Sequence, residues 1–231
     1  MKEIIDNYVD LSFKGNGQAT IKFAQFKKNY KSFFPKAKDE RVLDIGVGRG
    51  EMLACMKSWG HQYNGVDISK STVAYCKDLN LECEQTGDST QWLKDGGSKY
   101  KTITCLDVLE HIDREESVEF LSAIRSALVA DGVAIIQVPN LQSPFGYLHH
   151  FNDVTHRVGY VEHSLPQVLL AAGFTRLDFF GFEELVENNL KTYVRRLFRP
   201  FFQFFIRVLR FINSNPNPKI LHPVLSVVAY K

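Results

Sequence analysis

The chain has 231 residues, of which 45% are hydrophobic and 23% charged, which is typical of a globular protein with a sizeable core. Its formal net charge is +2, and its four cysteines have no C-x-x-C or C-x-x-H spacing. This argues against a disulfide framework or zinc site and favours a cytoplasmic location. The N-terminus lacks the apolar core of a signal peptide, and no run of about 18 apolar residues predicts a membrane span.

In chain order, helical patterns alternate with short β-rich segments. Helices are predicted at 19–33, 50–59, 70–79, 114–129 and 164–173. Strands are predicted at 41–47, 62–67, 81–86, 101–106, 132–138, 175–182 and 223–231. Such alternation indicates an α/β fold, with a doubly wound, mainly parallel sheet covered by helices on both faces.

The segment VLDIGVGRGEML, at 42–53, predicts a glycine-rich turn between the first sheet strand and its helix. Glycines at this place let the backbone approach a ligand closely. Their spacing is G-x-G-x-G and differs from the G-x-G-x-x-G of dinucleotide folds. Asp67 ends the second strand, where a carboxylate could accept both hydroxyls of a ribose. A ligand-free structural turn is the alternative interpretation.

Four motifs follow successive strands: D-I-G-x-G-x-G, V-D-I-S, G-D-S and L-D-V-L-E-H-I. Together they resemble class I S-adenosylmethionine-dependent methyltransferases, over about 40–182 and the final strand. The resemblance implies a seven-stranded sheet with a final antiparallel strand. It also implies a cofactor site that consists of Asp44, Gly46, Gly48, Gly50, Asp67, Ile68, Asp88, Ser89 and Asp107. A dehydrogenase is the alternative, which the glycine spacing disfavours.

We expect a single methyltransferase domain over 1–231. Its parts are a helical cap at 1–40, a core at 41–182, a basic helical insertion at 183–220 and the last strand at 221–231. Phe26 and Tyr30 of the cap could cover the cofactor as a lid, with a buried packing role as the alternative.

Two stretches bear on the methyl acceptor. Asp107, Glu110 and His111 stand at i, i+3 and i+4, a spacing that puts them on one side of a helical turn. The loop HFNDVTHRVGY, at 150–160, leaves the carboxyl end of the sheet and carries His156. Asp107, His111 and His156 are therefore the candidate catalytic residues.

E-x-x-E-H after the fourth strand also occurs in ubiquinone-pathway O-methyltransferases and in small-RNA 2′-O-methyltransferases, where it binds a divalent metal. This resemblance implies a metal such as Mg²⁺ at Glu110, His111 and His156, with Asp107 replacing the first Glu. Alternatively, the Glu-His pair orders the turn without a metal. His111 or His156 is then a general base or a hydrogen-bonding group for the substrate.

The span V-P-N…F-N-D-V-T-H-R…L-P-Q-V-L-L-A-A-G-F is similar to methyltransferases of bacterial surface-polysaccharide gene clusters. The similarity implies methylation of a sugar hydroxyl in O-antigen or capsule biosynthesis. The alternatives are an N-methyltransferase of a small amine or phospho-amine, a metal-dependent RNA 2′-O-methyltransferase and a non-catalytic binding module.

Residues 195–212 read RRLFRPFFQFFIRVLRFI and predict a basic amphipathic helix that Pro200 kinks or divides. Between 188 and 215 there are six basic residues and no acid, which leaves 22 basic against 26 acidic residues elsewhere. The apolar face could lie on the inner surface of the membrane, complete the domain core or form a homodimer. The aromatic residues lie together on one broad apolar face. This favours burial of their side chains and disfavours nucleic acid as a partner.

Overall fold

The computed structural model describes residues 19–97, 99–183 and 190–231, with side chains from residue 23 onward. The predictions for the N-terminus before residue 19, and for the start of the helical insertion, lie outside the described residues.

One seven-stranded sheet has the order β3-β2-β1-β4-β5-β7-β6. Its strands are β1 (Arg41–Ile45), β2 (Gln62–Asp67), β3 (Cys83–Gln85), β4 (Tyr100–Leu106), β5 (Leu128–Pro139), β6 (Arg176–Gly181) and β7 (Val224–Tyr230). Neighbouring strands from β1 to β5 pair in parallel, and β7 runs antiparallel between β5 and β6. The predicted mainly parallel sheet with a final antiparallel strand is confirmed.

The helices are α1 (Ala19–Tyr30), α2 (Glu51–Ser58), α3 (Lys70–Asp78), α4 (Ser89–Gly96), α5 (Arg114–Ala127), α6 (Gly146–Phe151), α7 (Ser164–Ala171) and α8 (Leu190–Ile212). Short 3₁₀ helices cover Lys31–Phe33 and Leu109–His111. The first shows that the predicted helix at 19–33 changes its hydrogen bonding after Tyr30. The sequence analysis did not predict α4 and α6, which have only eight and six residues.

The core lies on both faces of the sheet. Apolar side chains of α5, including Phe120 and Leu121, are buried in the cluster that contains Leu43 of β1. The second cluster contains Val42 of β1 together with Leu53 of α2. Both faces of the sheet are therefore covered, and four of the five residues of β1 are buried. In the sheet order, β1 and β4 meet at a switch point, where ligands bind in such folds.

The helix α8 runs through Pro200 without interruption, so Pro200 does not begin a second helix. None of its residues is buried, and Phe198, Phe201 and Phe204 are exposed. The alternative in which this helix completes the core is therefore wrong. Among the described residues no helix is both long and apolar enough to cross a bilayer.

Candidate active site

The glycine turn after β1 requires glycine at two places. Gly46 has φ +72°, and a Cβ there would lie 2.2 Å from Cγ2 of Val108. Gly50 has φ +74°, and a Cβ there would lie 2.7 Å from Cδ1 of Leu81. Gly48 also has a positive φ, with no atom within 4 Å of a Cβ. The turn thus combines tight packing at Gly46 and Gly50 with an open face at Gly48.

Asp67 joins the turns after β1 and β2. Its Oδ2 accepts a hydrogen bond from the Gly48 N–H at 3.3 Å, and its Oδ1 accepts one from the Ser69 N–H at 2.8 Å. Burial raises the pKa of Asp67, and these N–H groups partly offset that effect. The carboxylate is therefore fixed at the end of its strand.

A cavity of about 860 Å³ opens at the carboxyl ends of the strands. Eight of the nine predicted cofactor residues line it: Asp44, Gly46, Gly48, Asp67, Ile68, Asp88, Ser89 and Asp107. Gly50 does not line the cavity, so its role is the close packing that starts α2. The cavity volume suits a nucleoside-sized ligand.

The far end of the cavity is formed by the turns after β2 and β3. Asp88 caps α4, where its Oδ1 accepts from the Thr90 and Gln91 N–H groups at 2.8 and 3.1 Å. Ile68 is 42% exposed beside it. An exposed apolar side chain next to a polar group in a cavity offers a surface for a planar ring.

Asp44 lies at the buried end of β1. Its Oδ1 accepts a hydrogen bond from the Thr104 hydroxyl at 2.6 Å. Burial raises the pKa of Asp44 to about 8, and the charges of Asp67 and Glu51 add to the shift. A buried carboxyl group with a raised pKa is suited to bind a cationic ligand, because the cation restores the ionised form.

Asp107 does not belong to the helical turn that the sequence suggested. It has φ +55°, and the 3₁₀ helix starts only at Leu109. Its Oδ2 accepts from Nε2 of Gln137 at 2.8 Å, and Gln137 accepts the hydroxyl hydrogen bond of Tyr30. Gln137 is a site residue that the sequence analysis missed, although a glutamine in the apolar run of β5 was a usable sign.

Of the two residues proposed as a lid, only one lies at the cavity. Phe26 lines the cavity, whereas Tyr30 has no exposed surface and does not line it. Tyr30 therefore has the buried packing role that was its alternative. Through Gln137 it holds the Asp107 carboxylate from the side of α1.

His111 forms part of the cavity wall. Its Nδ1 lies 2.8 Å from the Thr155 hydroxyl, which donates its single proton to Oδ1 of Asp153 at 2.6 Å. His111 Nδ1–H must then be the donor to Thr155, which leaves the lone pair on Nε2. Burial lowers the pKa of His111 to about 4, with the neighbouring His156 as the second cause, so the ring is neutral at pH 7.

Glu110 and His156 lie next to His111 but do not line the cavity. The sequence analysis predicted that His156 contacts the substrate directly. In the structure His156 lies behind His111 and does not reach the cavity. The loop that carries His156 is fastened to the 3₁₀ helix, since the Arg157 and Val158 N–H groups donate to the Glu110 carbonyl oxygen at 2.7 and 3.1 Å. This contact brings the two predicted motifs together.

The cluster of Glu110, His111 and His156 has the chemistry of a metal site. One ligand atom from each lies within 4.8 Å of the others, and Asp107 is not in the cluster. Both carboxylate oxygens of Glu110 are buried without a hydrogen-bond partner. His156 Nδ1 donates to the carbonyl oxygen of His150 at 2.8 Å, which directs Nε2 toward Oε1 of Glu110 at 3.8 Å. These residues fit a divalent metal.

Comparison with known proteins decides the family. A family model described as a methyltransferase domain matches residues 19–178. The chain belongs to this methyltransferase family. Its seven-stranded sheet has the Rossmann-like fold of S-adenosylmethionine-dependent methyltransferases.

Three similar proteins illustrate the range of this methyltransferase's relatives. A crystal structure of a SAM-dependent methyltransferase from Archaeoglobus fulgidus is 25% identical, with a TM-score of 0.74 and coverage of 98% of this chain and 100% of that one. The ubiquinone biosynthesis O-methyltransferase of Rickettsia bellii is 25% identical over 48% of this chain and 46% of its own length. The sphingolipid C9-methyltransferase of Komagataella phaffii is 27% identical over 47% of this chain and 25% of its own length. The aligned part thus spans less than half of either curated relative.

The raised pKa of Asp44 gives a testable property of this methyltransferase. Below about pH 8 the free protein holds a proton on Asp44. If Asp44 lies beside the α-ammonium group of S-adenosylhomocysteine, that cation favours the ionised carboxylate, so binding at pH 7 should release a proton into the buffer. Calorimetry in buffers of different ionisation enthalpy measures this release. Asp44→Asn should abolish it, and equal release by that variant would contradict the assignment.

Proposed function

We propose that this methyltransferase transfers a methyl group to a sugar hydroxyl of a surface-glycan precursor in the cytoplasm. One observation carries the proposal. The stretch D-V-T-H, within the span that is similar to polysaccharide methyltransferases, contributes Asp153, Thr155 and His156, which lie next to Glu110 and His111 beside the cavity. A hydroxyl acceptor needs a group that removes its proton, and His111 offers one at the cavity wall.

In this proposal the cavity holds S-adenosylmethionine along its length. Asp44 and the open backbone at Gly48 bind the methionine part, and Asp67 accepts hydrogen bonds from the ribose hydroxyls. Ile68 packs on the adenine ring, while Asp88 and Ser89 meet its polar edge. The support is that all of these residues line one cavity in the order of the strands that carry them. Gln137 positions Asp107 near the sulfonium end.

The reaction needs little more than placement and proton removal. The hydroxyl oxygen attacks the methyl carbon in line, the carbon–sulfur bond breaks, and S-adenosylhomocysteine leaves as a neutral thioether. In the enzyme without a metal, the hydroxyl proton moves to Nε2 of His111. Thr155 and Asp153 hold the ring through Nδ1, so that Nε2 remains the acceptor.

Alternatively, Glu110, His111 and His156 would hold a divalent metal. Nε2 of His111 would then be a ligand of the metal and not the base. Two imidazoles and one carboxylate suit Mn²⁺, Fe²⁺ or Zn²⁺ better than the Mg²⁺ that the sequence suggested, because Mg²⁺ prefers oxygen ligands. When bound, such an ion would lower the pKa of a hydroxyl that coordinates it. His111 is the ligand that also lines the cavity.

The acceptor is tested with methyl-labelled S-adenosylmethionine and a panel of nucleotide-linked and lipid-linked sugars. We expect label in an alkali-stable sugar ether. Label on an amine or phospho-amine acceptor, with none on any sugar, would replace the proposal with the N-methyltransferase alternative, and label on RNA 2′-hydroxyls would replace it with the RNA alternative. Cofactor binding without turnover on any acceptor would favour a non-catalytic module.

Metal removal gives a separate prediction. Dialysis against a chelator should lower methyl transfer to the sugar acceptor by about tenfold or more, and Mn²⁺ should restore it better than Mg²⁺. S-Adenosylhomocysteine affinity should not change, because Asp67 and Asp88 lie outside the metal cluster. Full activity after chelation, with no metal in elemental analysis, would remove the metal and leave His111 as the base.

A further inference from the structure

The helix α8 presents an unusual surface. Along it, large apolar side chains are exposed, with Phe201 and Phe204 each at 69%. Phe198, Phe205 and Leu197 extend this exposed face. Such a concentration of exposed apolar side chains on a folded protein indicates a surface that binds another protein, a ligand or a membrane.

Two arginines fix which side of the helix faces outward. Arg207 donates to the carbonyl oxygen of Pro218 at 2.8 Å, and Arg210 donates to that of Pro216 at 2.9 Å. These bonds hold the polar side of α8 against the segment that leads to β7. The apolar side is therefore directed away from the rest of the chain.

The apolar surface continues onto α6. Phe202 of α8 stacks on Phe145, with ring centroids 6.1 Å apart and an interplanar angle of 4°. Beyond Phe145, the side chains of Leu148, Phe151 and Val154 are exposed. We call this surface the α6–α8 face. Val154 lies between Asp153 and Thr155, so the face adjoins the loop that carries His156.

The charge of α8 indicates what covers the α6–α8 face. The helix contains six basic residues and no acidic one, whereas the rest of the chain has 22 basic and 26 acidic residues. Lys191, Arg195 and Arg196 are exposed in its first half. Cations beside an apolar face complement anionic head groups above acyl chains.

We propose that the α6–α8 face docks on an anionic lipid bilayer, with α8 lying in the interface. The helix extends about 34 Å, and its basic residues keep it from crossing the bilayer, so that only its apolar face would enter the acyl boundary. Docking would bring the cavity to a lipid-linked acceptor, a consequence that rests on the proposed function. A second copy is disfavoured as the occupant because paired α8 helices would bring their cations together.

Vesicle sedimentation tests the docking without any acceptor. The full chain is mixed with vesicles of phosphatidylglycerol and phosphatidylcholine, or of phosphatidylcholine alone. We expect binding to the anionic vesicles to be about tenfold stronger, and Phe201→Glu/Phe204→Glu to lower it by about tenfold or more. Arg195→Glu/Arg196→Glu should remove the preference for anionic lipid.

A matched control carries the same change on exposed apolar residues elsewhere, Leu79→Glu/Leu170→Glu, and should bind like the wild type. Calorimetry with S-adenosylhomocysteine checks that every variant remains folded. Absence of vesicle binding, or equal binding by the Phe201/Phe204 variant, would overturn the proposal. So would a dimer, or an RNA complex, that forms through this face while vesicles are not bound. A protein that binds vesicles but methylates no sugar would overturn only the proposed function.

Discussion

Replacing His111 with alanine is expected to lower the rate of methyl transfer to the sugar acceptor by about 10²- to 10⁴-fold. The imidazole lies at the cavity wall, and its Nε2 carries the lone pair because Nδ1 donates to Thr155. The affinity for S-adenosylhomocysteine should stay unchanged, since the proposed cofactor contacts come from other residues. Single-turnover rates and calorimetry, measured on the same preparation, separate the two effects.

His149→Ala is the matched control, because His149 is an exposed histidine that precedes the same loop. It should retain wild-type turnover. Thr155→Val should lose part of the rate, because the ring would keep its place but lose the partner that fixes its tautomer. A fully active His111→Ala variant would contradict the proposed base and would also remove the metal ligand.

The second large effect is expected for Asp67→Asn, which should weaken the binding of S-adenosylhomocysteine by about a hundredfold. The amide cannot accept from both ribose hydroxyls while it faces the Gly48 and Ser69 N–H groups. A lost pair of charge-assisted hydrogen bonds corresponds to about 3 kcal/mol, or roughly two powers of ten in affinity.

Asp95→Asn is the control for this substitution, because Asp95 is an exposed carboxylate on α4 outside the cavity. Its affinity should equal that of the wild type. Thermal unfolding of both variants shows whether the loss at Asp67 is a loss of folding. Unchanged affinity in a folded Asp67→Asn variant would contradict the ribose assignment.

The sheet and the glycine turn were predictable because they depend on local sequence. Buried strands such as β1 are apolar on both faces, and Gly46 and Asp67 end successive strands that pair side by side. Parallel pairing brings such ends together whatever the rest of the chain does. This is why eight of the nine residues that the resemblance implied lie together at one cavity.

The contacts that hold the site residues in place could not be predicted from local sequence. Tyr30 donates a hydrogen bond to Gln137, which lies 107 positions later in the chain, and no local sequence pattern predicts such a contact. The spacing of Asp107 and Glu110 suggested one helical turn, but the left-handed backbone at Asp107 separates the two. Asp107 therefore lines the cavity, while Glu110 is buried next to His156.

The helix α8 shows a third limit of sequence reasoning. Its periodicity identified an apolar face correctly but did not reveal what that face touches. The outward direction results from hydrogen bonds between Arg207 and Arg210 and backbone carbonyl groups of a later segment. A helical wheel contains no information about such partners.

A calorimetric titration of the wild-type protein tests directly whether the cavity is a site for S-adenosylmethionine. Addition of S-adenosylhomocysteine should give saturable heat at one site per chain, and prior saturation with it should suppress the heat of adding S-adenosylmethionine. Addition of NAD⁺ should give none. Heat with NAD⁺ but not with S-adenosylhomocysteine would contradict the account.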